Sequence, residues 1–308
     1  MTPFHHILVP LDGSELAENA LAPACRMADA AGRRADQPAR LVLFRAVSPA
    51  ALVAADPMLY DEMARMGIDE AQAYLNRVAA SLPASGATVV TRAVPGSPAD
   101  AIVQYAEENG VDLIVMSSHG RTGSRRWVYG SVAEKVLHHA PCATAIIRAH
   151  VAVAMFQNRR MLVTLDGSPL AERALEPALA LARALESDVQ LLRVVPARET
   201  LPESMTPGGE RAEAAMDAIA AQERADAEAY LQRIYSAHDN RRLFFDVQTA
   251  DGDVADTIVS YADAHHVDLI VMSSHGRSGI GRWLHGSVAE KVLRGANCAT
   301  LILRSARD

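Results

Sequence analysis

A chain that repeats itself must fold as repeated units, and this one repeats letter for letter. Residues 111–121 read Val-Asp-Leu-Ile-Val-Met-Ser-Ser-His-Gly-Arg, and the same run returns at 267–277. Residues 130–137 read Gly-Ser-Val-Ala-Glu-Lys-Val-Leu, and that run returns at 286–293. In each copy an apolar segment of strand length enters a Gly-rich turn (Gly120 and Gly123 in the first), after which Gly130-Ser131 opens a helix. A strand, a Gly loop and a helix N-terminus together favour an anion, because unpaired backbone N–H groups and the helix dipole point at the same place. The expectation is a phosphate-bearing ligand, bound once in each half.

Each half follows one programme. In the first, residues 5–11, 41–47, 88–94, 113–116 and 143–148 read as strands. Ser14 is placed to cap a helix running through about Ala30. Further helices are predicted over 58–82, 97–108 and 131–139. In the second half the strands are 161–165, 189–195, 243–249, 269–272 and 299–304. Helices are predicted after Ser168, over 210–234, from Asp253, and over 287–294. Strands and helices alternate and the strands are apolar throughout. That predicts an α/β protein made of two doubly wound, five-stranded parallel-sheet domains. Their expected bounds are 1–150 and 158–308, joined through a linker at 149–158.

Composition narrows the function. Of the 308 residues, 50% are hydrophobic and 22% charged, as for a soluble globular chain with a core in each half. The net charge of -7 argues against a nucleic-acid partner, which asks for a basic face. No apolar run is long enough to span a bilayer. The opening Met1-Thr2-Pro3-Phe4-His5-His6 does not read as a signal peptide, so no membrane role and a cytoplasmic location are expected. Of the three cysteines, Cys142 and Cys298 hold matched positions and read as small core residues; Cys25 stands alone. Such a set fits a reducing compartment and no metal site. Lys135 and Lys291 lie inside the repeated helix and outside any Gly-x-x-x-x-Gly-Lys-Ser/Thr pattern, which excludes a Walker P-loop.

Each motif also has a plainer reading. Ser117-x-x-Gly120-x(9)-Gly130-Ser131 and its copy Ser273-x-x-Gly276-x(9)-Gly286-Ser287 fit a phosphate site. Yet Ser131 with Glu134, and Ser287 with Glu290, also fit a capping box that needs no ligand. Asp12 and Asp166 end the first strand of each half, where a carboxylate meets ribose hydroxyls or simply organises the turn. His119 and His275 follow a serine, but neighbours on a strand point apart and no third partner is evident, so no catalytic role is assigned. Arg121, Arg125, Arg126, Arg277 and Arg282 place positive charge beside the loops, which suits a triphosphate, though exposed arginines are usually just solvated. Trp127 and Trp283 read as packing residues.

Taken together, three marks in order resemble a known family. They are the Asp-Gly-Ser turn, the Val-Asp-Leu-Ile-Val-Met-Ser-Ser-His-Gly-Arg run, and Gly-Ser-Val-Ala-Glu-Lys-Val followed by a Cys-Ala-Thr strand. Nearly the whole chain resembles a tandem universal stress protein, with a Rossmann-like fold of the adenine nucleotide alpha hydrolase type. In the ATP-binding branch of that family the motif is Gly-x(2)-Gly-x(9)-Gly-Ser/Thr. Carried over, the resemblance implies phosphates at Gly120, Gly130, Ser131 and Val132, ribose at Asp12, and adenine among Pro10, Ala46 and Met116. In the second half it implies Gly276, Gly286, Ser287 and Val288, then Asp166, then Thr164, Val194 and Met272. The first motif glycine is replaced by Ser117 and Ser273, which weakens binding if a left-handed backbone or a very close ligand is needed there.

The implied function is a stress-response protein binding ATP, with or without magnesium, or a related adenine nucleotide, and turning over little or none. The alternative is an interaction and dimerisation module of the same fold with vestigial sites and no cofactor. The resemblance also implies pairing through the last strands, 144–148 against 300–304, as an intramolecular pseudo-dimer. A homodimer is the further assembly.

Overall fold

The computed structural model describes residues 4–33, 38–48, 57–84, 86–118, 130–148, 159–196, 210–238, 242–250, 252–274 and 287–304, the side chains of 57–61 and 210–213 excepted. The first half runs β1 (His6–Pro10), α1 (Glu15–Glu18), α2 (Leu21–Gly32), β2 (Arg40–Val47), α3 (Pro57–Ser81), β3 (Thr88–Pro95), α4 (Pro98–Glu108), β4 (Leu113–Ser117), α5 (Ser131–His139) and β5 (Ala143–Ile147). The second repeats it as β6 (Arg160–Thr164), α6 (Pro169–Glu172), α7 (Leu175–Leu185), β7 (Asp188–Val195), α8 (Glu210–Ala237), β8 (Leu243–Thr249), α9 (Val254–Ala264), β9 (Leu269–Ser273), α10 (Ser287–Gly295) and β10 (Ala299–Leu303).

The strands form one sheet in the order β3-β2-β1-β4-β5-β10-β9-β6-β7-β8. Within each half all pairs are parallel. The halves meet at an antiparallel seam, where Thr300, Leu301 and Ile302 of β10 face Ile146, Ala145 and Thr144 of β5. Alternate residues feed opposite faces, as strand geometry requires. Ile7, Val9, Leu41 and Leu43 pack under α2 and α3. Leu8, Val42, Phe44 and Ile114 pack under α4 and α5. Both cores run through from one half to the other, and α2 packs on α7 across the seam.

One predicted helix is corrected. The segment after Ser14 is two helices, broken at Asn19 and Ala20. Pro23 supplies the reason: it has no N–H to give the carbonyl four residues back, which is that of Asn19. The second half obeys the same rule, with Pro177 and a break at Arg173 and Ala174.

The turn before α1 depends on Gly13. Its φ is +89°, and a Cβ there would lie 3.2 Å from Arg45 Nη1. Gly13→Ala is therefore expected to cost about 1–2 kcal/mol through the left-handed backbone alone. Urea unfolding followed by circular dichroism checks this; an unshifted midpoint would show that the turn relaxes freely.

A candidate nucleotide cleft at the carboxyl ends of the strands

The chain reverses its winding between β2-β1 and β4-β5, so the carboxyl ends of β1 and β4 flank a crevice. Asp12 stands one turn beyond β1. Its Oδ1 accepts from the Ser14 N–H at 2.9 Å and from the Ser14 hydroxyl at 2.6 Å. Ser14 in turn accepts from Ala17 N–H and caps α1. The turn-organising reading of Asp12 thus holds, and the carboxylate is still half-buried in the cleft wall. Asp166 repeats the arrangement, accepting from Ser168 N–H at 2.9 Å.

The two ends of the first Gly loop are tied together. Ser118 N–H donates to Ile147 O at 2.9 Å, and Ser118 O accepts from Gly130 N–H at 3.0 Å. That bond fixes where α5 begins. Gly130 itself is the N-cap, with φ -57° and no side-chain capping bond, so the capping box expected between Ser131 and Glu134 does not form. The reason is register: Ser131 is already the first helical residue, and a capping hydroxyl must sit one position earlier. A Cβ on Gly130 would meet Ser118 O at 3.7 Å, an ordinary contact. Neither backbone angle nor packing demands glycine there.

The first-half residues converge. Pro10, Asp12, Ala46 and Met116 line a single cleft of about 590 Å³. Ser117, Gly130, Ser131 and Val132 complete the same wall. Gly120 lies outside the described residues. Ser117 stays in register with Ile147 at the end of β4, and its φ is not positive. Serine in place of glycine therefore strains nothing. Ser117 is only 7% exposed, and its Oγ is buried without a hydrogen-bond partner among the described residues. A buried hydroxyl left unpaired is costly.

The second-half residues converge less. Thr164, Asp166, Val194, Met272, Ser273 and Val288 line a cleft of about 110 Å³. Ser287 opens α10, exposed, and is not part of that lining. Gly276 and Gly286 lie outside the described residues, as do His119, His275, Trp127, Trp283 and the loop arginines. No group of three or more His, Cys, Asp or Glu that would hold a metal occurs among the described residues. The three cysteines are free, and burial pushes the thiols of Cys142 and Cys298 up to about 12.

Residue-by-residue reading missed a buttress behind Asp12. The Arg45 guanidinium lies 5.1 Å from the Tyr74 ring centroid and backs onto Gly13, while the Tyr74 hydroxyl donates to Glu18 at 2.8 Å. Burial and the neighbouring Glu18 carboxylate push the Tyr74 phenol well above its usual range. Arg193 sits the same way over Tyr230, at 5.1 Å, against Gly167. The signal was present in the otherwise divergent long helices, where Ala73-Tyr74-Leu75 matches Ala229-Tyr230-Leu231.

The sequence pattern of the universal stress protein family matches residues 3–148 and again 157–304. A universal stress protein of Methanocaldococcus jannaschii is 30% identical over 145 residues, covering 47% of this chain and 82% of that protein. One from Mycobacterium tuberculosis is 29% identical over 220 residues, covering 70% of this chain and 69% of that one. The crystal structure of a universal stress protein from Archaeoglobus fulgidus superposes with a TM-score of 0.67 at 19% identity, covering 97% of each chain, which speaks to fold alone. The chain belongs to the universal stress protein family and carries its domain twice in tandem.

Proposed function

We propose that the first cleft binds ATP or a related adenine nucleotide, with or without magnesium, and that the chain serves in a stress response in the cytoplasm. The observation that carries this is the unpaired, buried Ser117 hydroxyl in a cleft that also holds Asp12 and the N-terminus of α5. The base packs among Pro10, Ala46 and Met116, an apolar wall. The ribose hydroxyls meet Asp12, which as a carboxylate only accepts hydrogen bonds. The phosphates face the free N–H groups at the start of α5, which the absence of a side-chain cap leaves for an anion. The chain lacks a P-loop lysine, and the proposal includes little or no hydrolysis. In this reading the two domains, 1–150 and 158–308, form a pseudo-dimer across the β5–β10 seam, with a homodimer as the further assembly.

The alternative, an interaction module with vestigial sites, draws support from the small second cleft but from nothing in the first. Protein purified without added ligand is denatured and its supernatant resolved by ion exchange with mass detection; ATP or ADP is the expected content. Asp12→Ala is expected to weaken ATP binding about 10- to 100-fold, the loss of a charged hydrogen-bond acceptor. An empty supernatant together with no thermal shift in millimolar ATP and magnesium would sink the nucleotide reading.

A further inference from the structure

The same motif occurs in both halves, yet the two clefts differ. We infer that the chain holds one nucleotide, in its first domain, and that the matched cleft of the second domain is closed to nucleotides. The inference rests on reading the first cleft as a nucleotide site and adds to it which half is used and which residues decide.

Size separates them first. Clefts that take small-molecule ligands measure roughly 300–1,000 Å³. The first cleft, about 590 Å³, falls inside that range, and the second, about 110 Å³, falls well below it.

The sequence explains the difference. In the first domain, α3 closes one side of the cleft with Gly67 and Glu70. Gly67 lets the helix approach the end of β2 so closely that a Cβ there would sit 3.2 Å from Val47 Cγ1. Tyr74 and Tyr230 play the same part in the two domains, so the matched residue, seven positions earlier in α8, is Glu223. Glu223 is exposed, and none of the described side chains of α8 lines the second cleft. Among the described residues the second cleft therefore lacks that wall. It is also narrower at the base pocket. Pro10 pairs with Phe44 and Thr164 with Leu192, so Ala46 corresponds to Val194, which carries two more methyl groups on the same wall.

The polar groups diverge as well. Ser117 Oγ is buried and unpaired in the first cleft. Ser273 is half-buried and already has an interaction partner. The first domain thus has a buried serine hydroxyl with no partner among the described residues at this position, and the second does not.

Calorimetric titration with ATP and magnesium should give close to one site per chain. Photolabelling with 8-azido-ATP, followed by peptide mapping, should mark peptides within residues 4–148. Ala46→Val, which imports the second domain's residue, should weaken binding at least tenfold with an unchanged circular dichroism spectrum. Two nucleotides per chain, or label between residues 159 and 304, would overturn the inference and leave the proposed function standing. No binding at all would overturn both. If Ala46→Val fails to fold, the count and the label on the unaltered protein decide alone.

Discussion

Phe44→Ala is expected to destabilise the first domain by about 3–5 kcal/mol. Phe44 is fully buried in β2, beneath the cleft that Ala46 lines. Its ring centroid is 5.0 Å from that of Tyr105 on α4, a tilted aromatic pair. Leu8, Val42, Ile102 and Met116 share its core. Truncation removes the ring and leaves a cavity that β-strands on either side cannot collapse into, because their spacing is fixed by hydrogen bonds. The second domain holds Leu192 at the matched position, so Phe44→Leu should cost only about 1 kcal/mol. Urea unfolding of both variants by circular dichroism tests the pair. If the alanine variant loses less than about 1 kcal/mol, the ring is not the keystone that its burial suggests.

The contrast between Phe44 and Leu192 also marks how far the sequence could be read. The ten strands and their parallel pairing within each half follow from apolar, strand-length runs alternating with helices, and each is present, whereas the pairing of the last strands is implied by the family resemblance alone and its antiparallel sense is a finding of the structure. The first-half site residues outside the loop also converge as expected, since topology alone brings the ends of β1 and β4 together. Three features escaped that reading for physical reasons. Helix periodicity runs straight through Asn19 and Ala20, and only the missing N–H of Pro23 breaks it. The Ser-x-x-Glu pattern suits a capping box in any register, whereas the Ser118–Gly130 bond fixes a register one residue earlier. Cleft size depends on how closely a long helix approaches a strand end, and that rests on Gly67 in a segment whose similarity to the other half is weak. Identical motifs therefore led to the expectation of a site in each half, while divergent walls give clefts of unequal size.

Arg304→Ala is expected to cost about 2–4 kcal/mol, because it strips the end of a helix in the other domain. Arg304 follows β10, yet its guanidinium donates to Ala140 O, and to His138 O at 3.0 Å, at the C-terminus of α5. Ala140 is fully buried, so its carbonyl has little water to turn to. Arg148 makes the reciprocal contact, donating to Leu293 O of α10, and is itself 8% exposed. Each domain thus ends its last strand with an arginine that caps the last helix of its partner, where a cation also suits the negative end of the helix dipole. The antiparallel seam makes this possible, since it carries each strand end past the other domain's helix. Lysine lacks the planar fork that serves two carbonyls at once, so Arg304→Lys should recover only part of the loss. The consequence reaches the cleft, because α5 ends at Arg304 and begins at Gly130 and Ser131 in the cleft wall. Urea midpoints of Arg304→Ala, Arg148→Ala and the double variant, compared with the parent, measure the clasp. Unchanged midpoints for all three would mean that water replaces the guanidinium at no loss and that the strand pairing and the shared cores join the domains without it.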